Sequence, residues 1–273
     1  MNYEEYFEMK HTPFRRDIPC ESLYVSPAME EAYARLRYAV DRQMFVVLTA
    51  DAGCGKSTMM RKLNSALPCE EYLLLYLSDS KLTPKWLYKT LLDQLGLEAG
   101  FYRGDAKALL QKQIRIVREK EHRKVVCILD EAHLLEKETL EEFRFLLNSN
   151  FDSESQMALI LVGQTELWSE KLRYKRYAAI CQRIDIICRL PHLDRAETEA
   201  YIRAHMKYSG CTQELFTDAA YDEIYKSTNG IMRLINKVCD KSLTLASVQN
   251  KRLIDDHLVM AIEEHEVLGL QGE

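Results

Sequence analysis

Residues 45–58 constrain this chain more than any other stretch. The apolar run Phe45-Val46-Val47-Leu48 leads into Ala50-Asp51-Ala52-Gly53-Cys54-Gly55-Lys56-Ser57-Thr58, and a helical pattern follows through Met59, Met60, Leu63, Ala66 and Leu67. A buried strand, a glycine-containing loop and a helix opening on Lys-Ser together form a phosphate cradle. Small residues let backbone N–H groups approach phosphate oxygens without a Cβ in the way. The helix N-terminus adds unpaired donors and partial positive charge. In the pattern G-x-x-x-x-G-K-[ST], Lys56 is the point charge for the β/γ-phosphates and Ser57 the Mg²⁺ ligand. Ala50 stands where the first glycine is usual, which a negative φ at that residue tolerates. The expected ligand is ATP or GTP, held by Asp51, Ala52, Gly53, Cys54, Gly55, Lys56, Ser57 and Thr58. Cys54 beside Lys56 and a helix N-terminus is either a small loop filler or a thiol of lowered pKa, open to alkylation.

The strands predicted around this loop are apolar throughout. They are 44–49, Leu73–Leu77, Val125–Leu129, Ala158–Gly163 and Ile184–Leu190. Helical patterns alternate with them: one from the Ser26 cap and Pro27, one after the loop to about Leu67, one opening at Thr83-Pro84, then Asp105–Glu121 and Glu136–Asn150. Such alternation predicts an α/β fold: a five-stranded parallel sheet of phosphate-loop NTPase type with helices on both faces. Beyond Pro191 the strand pattern stops, and 194–209, 217–227, 230–247 and 255–266 read as helices. The expected organisation is an irregular N-terminal extension (1–25), a core (26–192) and a small all-helical lid (193–273).

A second signature lies at the end of the third strand, Ile128-Leu129-Asp130-Glu131-Ala132-His133. Acids at the C-terminal end of a parallel strand lie on the ligand side of such sheets. Asp130 is placed to hold Mg²⁺, directly or through water. Glu131 is placed to orient or polarise an attacking water. Either acid alone could simply cap a helix, but the loop some seventy residues upstream favours the catalytic reading. His133 reads as a structural neighbour; Asp-Glu-Ala-His resembles a helicase box, yet no other helicase motif is visible. After the fourth strand, Gln164 is a candidate partner for the γ-phosphate or the lytic water, with Thr165 as its substitute; a loop or cap role competes.

The ordered set resembles the AAA+ ATPases, and more narrowly the ExeA-like branch, which includes a bacterial secretion ATPase and transposon-borne ATPases. Carrying the likeness, besides the two motifs, are Pro13-Phe14, Leu23-Tyr24-Val25-Ser26-Pro27, Leu161-Val162-Gly163-Gln164, Gln182-Arg183-Ile184 and Asn229-Gly230-Ile231-Met232-Arg233-Leu234-Ile235-Asn236. It implies that Arg233 is a lid arginine reaching the γ-phosphate. It also implies an arginine finger supplied across a homo-oligomer, for which Arg183 is the candidate and Arg173 and Arg176 are rivals. Met232 stands where the branch usually has proline.

Charge and cysteine usage narrow the setting. The net charge is −5, and residues 193–273 hold 9 Lys+Arg against 14 Asp+Glu, which excludes a globally basic nucleic-acid binder. Two local patches remain. Residues 103–124 hold eight Lys/Arg against three acids, and Lys171–Tyr177 interleaves bases with tyrosines. Both fit either a nucleic-acid backbone or solvated faces and subunit contacts. The eight cysteines form no C-x-x-C pair, and no apolar run approaches the ~20 residues of a membrane span. With an acidic N-terminus, a cytoplasmic protein is expected. Two processes are then open: a DNA-associated ATPase that recruits a partner such as a transposase, and an ATPase of envelope or secretion-system assembly. The second usually carries a membrane segment and a wall-binding domain, and their absence from these residues tilts the expectation to the first. A nucleotide-switched scaffold is the third reading, opposed by Glu131.

Overall fold

A computed structural model describes residues 2–78, 82–100, 102–149 and 154–262. These divide into two compact units. Ala28–Asp51 and Gly55–Leu190 form one; residues up to Pro27, Ala52–Cys54 and Pro191 onward form the other.

The first unit is an α/β sheet. Its strands are β1 (Phe45–Thr49), β2 (Tyr72–Leu77), β3 (Lys124–Leu129), β6 (Ala158–Gly163) and β7 (Ile186–Arg189), in the order β2-β3-β6-β1-β7. Every pairing is parallel. β1 and β6 are buried at every position, so both faces of the sheet centre are covered, as their unbroken apolar runs require. Covering helices are α2 (Pro27–Arg42), α3 (Lys56–Ser65), α4 (Pro84–Gln94), α5 (Arg103–Glu119), α6 (Lys137–Leu147) and the short α7 (Ala178–Cys181). Thr83 caps α4 by accepting from Trp86 N, with Pro84 in the first turn, as the sequence signals.

Local corrections are informative. The helix expected to reach Asn150 stops at Leu147 and gives way to a two-stranded antiparallel ribbon, β4 (Asn148–Ser149) and β5 (Glu154–Ser155); Asn150 itself lies outside the described residues. Between β6 and β7 the chain forms a π-helical segment (Leu167–Leu172), a 3-10 turn (Lys175–Tyr177) and α7. The last strand is shorter than expected because Arg183 and Ile184 turn back on Ile180 and Cys181.

The second unit is helical: α8 (Arg195–Ser209), α9 (Asp218–Thr228), α10 (Met232–Val248) and α11 (Asp256–Ile262). The tail of the helix expected over 255–266 lies outside the described residues. Asp194 opens α8 with a capping box to Glu197. Asn229 and Gly230 both take positive φ before α10, and a Cβ on Gly230 would stand 1.9 Å from Leu193 O. Residues 1–25 are less irregular than expected. They form a one-turn helix, α1 (Tyr3–Tyr6), and a 3-10 turn at Cys20–Ser22. Tyr3 donates its hydroxyl to Asp240 on α10 at 2.8 Å, and Phe14 donates its backbone N–H to His205 Nδ1 at 3.1 Å.

Candidate functional site

The loop between β1 and α3 is built as its composition dictates. Ala50 is buried, is not among the positive-φ residues and donates to Gly163 O at 3.3 Å, so alanine costs nothing there. Gly53 (φ +89) and Gly55 (φ +85) do need glycine, and Gly55 precedes the first turn of α3 in left-handed conformation. Lys56 is buried, with its Nζ donating to Ala50 O at 2.7 Å and Asp51 O at 3.0 Å. Ser57 is exposed at the helix start. Within the helical unit, Gly53 O accepts from Arg233 N at 3.2 Å, and Arg233 is exposed in the first turn of α10.

The burial of Cys54 bears on the two readings open for it. It is 1% exposed, so the accessible, alkylation-prone thiol is ruled out in this conformation, and the small-filler reading stands.

β3 ends at the acidic pair. Asp130 is 7% exposed. Its Oδ1 accepts from Glu131 N at 2.9 Å and its Oδ2 from the Tyr76 hydroxyl at 2.7 Å. Burial, and next the bond to Asp130, raise the Tyr76 phenol well above its ordinary value. A carboxylate has about four lone-pair positions, so Asp130 keeps room for a metal or its water.

Glu131 takes a left-handed backbone (φ 52, ψ 33) where the strand breaks into a 3-10 turn. Its side chain is 43% exposed, yet Oε2 itself is buried and finds no hydrogen-bond donor. His133 Nδ1 is 3.4 Å from that oxygen, but the same nitrogen accepts the Gln164 N–H at 3.4 Å. The Gln164 N–H and the Glu131 carboxylate thus approach the same imidazole nitrogen.

Of the two residues proposed after β6, Gln164 donates its backbone N–H to His133, two residues beyond Glu131. Thr165 reaches the loop, its hydroxyl donating to Asp51 Oδ1 at 2.5 Å. Among the arginines, Arg173 and Arg176 are exposed, Arg176 lying over the Tyr174 and Tyr177 rings, while Arg183 is half-buried ahead of β7.

Some bases of the two stretches are engaged inside the unit, while Lys112, Arg115, Lys120, Arg173, Lys175 and Arg176 are exposed. Lys171 donates to His133 O (2.5 Å) and Leu135 O (2.6 Å), and burial lowers its pKa. Arg103 and Lys107 pair with the buried Glu142, Arg118 binds Ser155 O, and Arg123 binds Tyr72 O.

Sequence reasoning missed two residues, while His133 stands beside Glu131 as the structural neighbour it was read as. Tyr76 had a signal, the one side-chain polar atom in the run Leu73–Leu77. Gln94 had none; it binds the Tyr76 backbone through contacts no periodicity reports.

Residues 39–169 match a family described as an AAA domain. Over 278 residues the chain is 30% identical to General secretion pathway protein A of Aeromonas hydrophila, covering 99% of this chain and 49% of that protein. It therefore spans about half the length of the curated relative it matches. Among solved structures it is similar to the Aeropyrum pernix ORC2 protein in ADPNP–ADP complexes, at 15% identity and TM-score 0.66, covering 92% of this chain and 71% of that one. It is also similar to the Aeropyrum pernix ORC1 protein in complex with DNA, at 13% identity and TM-score 0.63, covering 90% and 67%. At such identities the structural likeness establishes the fold.

Proposed function

The chain carries an AAA domain in an AAA+ fold of the ExeA-like branch, and on that premise we propose that it binds ATP with Mg²⁺ at the Ala50–Thr58 loop and hydrolyses it. The observation that carries the reading is Glu131, a carboxylate whose buried Oε2 has no donor, set one residue beyond Asp130 at the end of β3. An orphaned buried acceptor costs about 1–3 kcal/mol, a deficit that a water donating to it removes.

The residues fit the nucleotide and its metal. Gly53 and Gly55 leave the loop backbone open to phosphate, and Lys56 is buried there as the cation. Ser57 and Asp130 would hold Mg²⁺, which when bound draws charge off the phosphate oxygens. Glu131 accepts the proton of the attacking water. Arg233 of the lid and Arg183 of a neighbouring subunit neutralise charge developing on the transferred group, which makes hydrolysis depend on a homo-oligomer.

For the process served, the relative along 99% of the chain is named for a secretion pathway, and that favours an ATPase of envelope or secretion-system assembly. A DNA-associated role with a transposase as partner draws on the ORC1–DNA structure, a likeness of fold only. Lys171 and Arg123 are held by backbone carbonyls and so are withdrawn from such a role, while other bases of the two stretches stay exposed. No helix among the described residues is long and apolar enough to cross a membrane, and the unit is assigned to the cytoplasm, where ATP is.

The test is fluorescent-nucleotide binding paired with phosphate release. Lys56→Ala should lose binding. Glu131→Gln should bind and not turn over; full turnover by that variant refutes the assignment. ATP-dependent, salt-sensitive DNA binding would move the process to the DNA reading.

A further inference from the structure

Tyr76 lies on β2, the edge strand of the sheet, opposite Ile128 of β3. Side chains alternate along a strand, so Tyr76, Ile128 and Asp130 share one face, with Tyr76 the diagonal neighbour of Asp130. A tyrosine spans that diagonal, and its hydroxyl meets Asp130 Oδ2 at 2.7 Å. The other carboxylate oxygen is fixed by the Glu131 N–H. One bond from each side therefore sets the rotation of the Asp130 carboxylate.

The phenol is itself held. Among the described residues β2 has no neighbour on its outer side, which leaves backbone groups of Tyr76 without a ladder partner. The Gln94 amide at the end of α4 takes both: Gln94 Oε1 accepts from Tyr76 N at 3.0 Å and Gln94 Nε2 donates to Tyr76 O at 2.8 Å. A clamp of this kind fixes the strand where the side chain leaves it. A tyrosine at a half-exposed edge position needs neither bond for solubility or core packing.

We infer that Tyr76, clamped by Gln94, is a positioning residue for the metal-binding carboxylate of Asp130, tuning how tightly the site takes Mg²⁺. The inference rests on the ATP·Mg²⁺ reading above. Donation by the phenol orients the Asp130 carboxylate and presents its remaining lone pairs in one direction. Without it the carboxylate is free to rotate about its bond to Glu131 N, and a hard cation that demands near-ideal octahedral geometry loses affinity.

The experiment titrates a fluorescent ATP analogue against the whole chain, first without divalent ion and then with increasing Mg²⁺. Tyr76→Phe should keep the metal-free nucleotide affinity and raise the Mg²⁺ concentration for half-maximal effect about tenfold, the size of one hydrogen bond to a charged group. Gln94→Ala, which leaves the phenol in place, should shift it less and in the same direction. In an Asp130→Asn background, Tyr76→Phe should change nothing further. An unchanged Mg²⁺ requirement in Tyr76→Phe overturns the inference, as does loss of metal-free nucleotide affinity in that variant, which would mark a disturbed loop. If the wild-type chain binds no nucleotide with or without metal, the ATP reading fails and carries this inference with it.

Discussion

Glu131 Oε2 lies 3.4 Å from His133 Nδ1, and that nitrogen already accepts the backbone N–H of Gln164. One imidazole thus borders the proposed catalytic carboxylate and fixes the first residue after β6. Replacing His133 by Ala leaves the half-buried Gln164 N–H without its acceptor, at about 1–2 kcal/mol. We expect a melting temperature lower by several degrees, kcat reduced about tenfold or more by misplacement of the site, and nucleotide affinity retained. A His133→Ala protein with unchanged kcat would show that the ring is only a spacer.

His205 predicts an acid-sensitive fold. It is 5% exposed, stacked on Phe14 at 5.0 Å and accepting the Phe14 N–H, and burial lowers its pKa from 6.5 to about 4. The folded state therefore binds its proton more weakly than the unfolded chain. The stability this contributes is fully present above pH 6.5 and is lost as pH falls through about 4, on the order of 3 kcal/mol. Urea midpoints at pH 7.5, 6 and 5 should fall in the wild type and fall less in His205→Gln. Parallel slopes would assign the loss to other groups.

Two glycines should respond in opposite directions to alanine. A Cβ on Gly230 would stand 1.9 Å from the Leu193 carbonyl oxygen, a backbone atom, at φ +72. Gly230→Ala should destabilise the helical unit by about 3 kcal/mol or more. Gly104 sits in the first turn of α5 with nothing within 4 Å of a new Cβ. Gly104→Ala should stabilise by roughly 0.5 kcal/mol. Chemical denaturation of both variants checks the pair, and a tolerated Gly230→Ala would mean the turn has another conformation.

Thiol labelling should follow burial. Cys69 is exposed, whereas Cys54, Cys127, Cys188 and Cys239 are buried, and burial alone pushes Cys127 up to about 12. Brief treatment with N-ethylmaleimide and peptide mass mapping should mark Cys69 first and leave those four unmarked until denaturant is added. Early modification of Cys54 would show that the phosphate loop opens on its own.

The sheet was legible because each strand is an unbroken apolar run, and Ala158–Gly163 is the strand read from sequence, residue for residue. The phosphate loop was legible because two left-handed positions demand glycine. The β4–β5 ribbon was not: Asn148 to Ser155 shows no apolar alternation, so the helical reading ran on over β4 to Asn150. The π-helical turn at Leu167–Leu172 was hidden because its apolar spacing also suits an α-helix. The Tyr76–Asp130 and His133–Gln164 bonds join residues 54 and 31 apart in sequence, and such bonds leave no local pattern.

The Gln94 clamp has a consequence for assembly. An edge strand with open backbone groups is a template onto which another chain can lay a strand of its own. At Tyr76 both groups are already taken by a side chain of the same molecule. Strand addition along β2 is therefore blocked at this position, and any chain laid there would first have to displace Gln94 from the Tyr76 backbone.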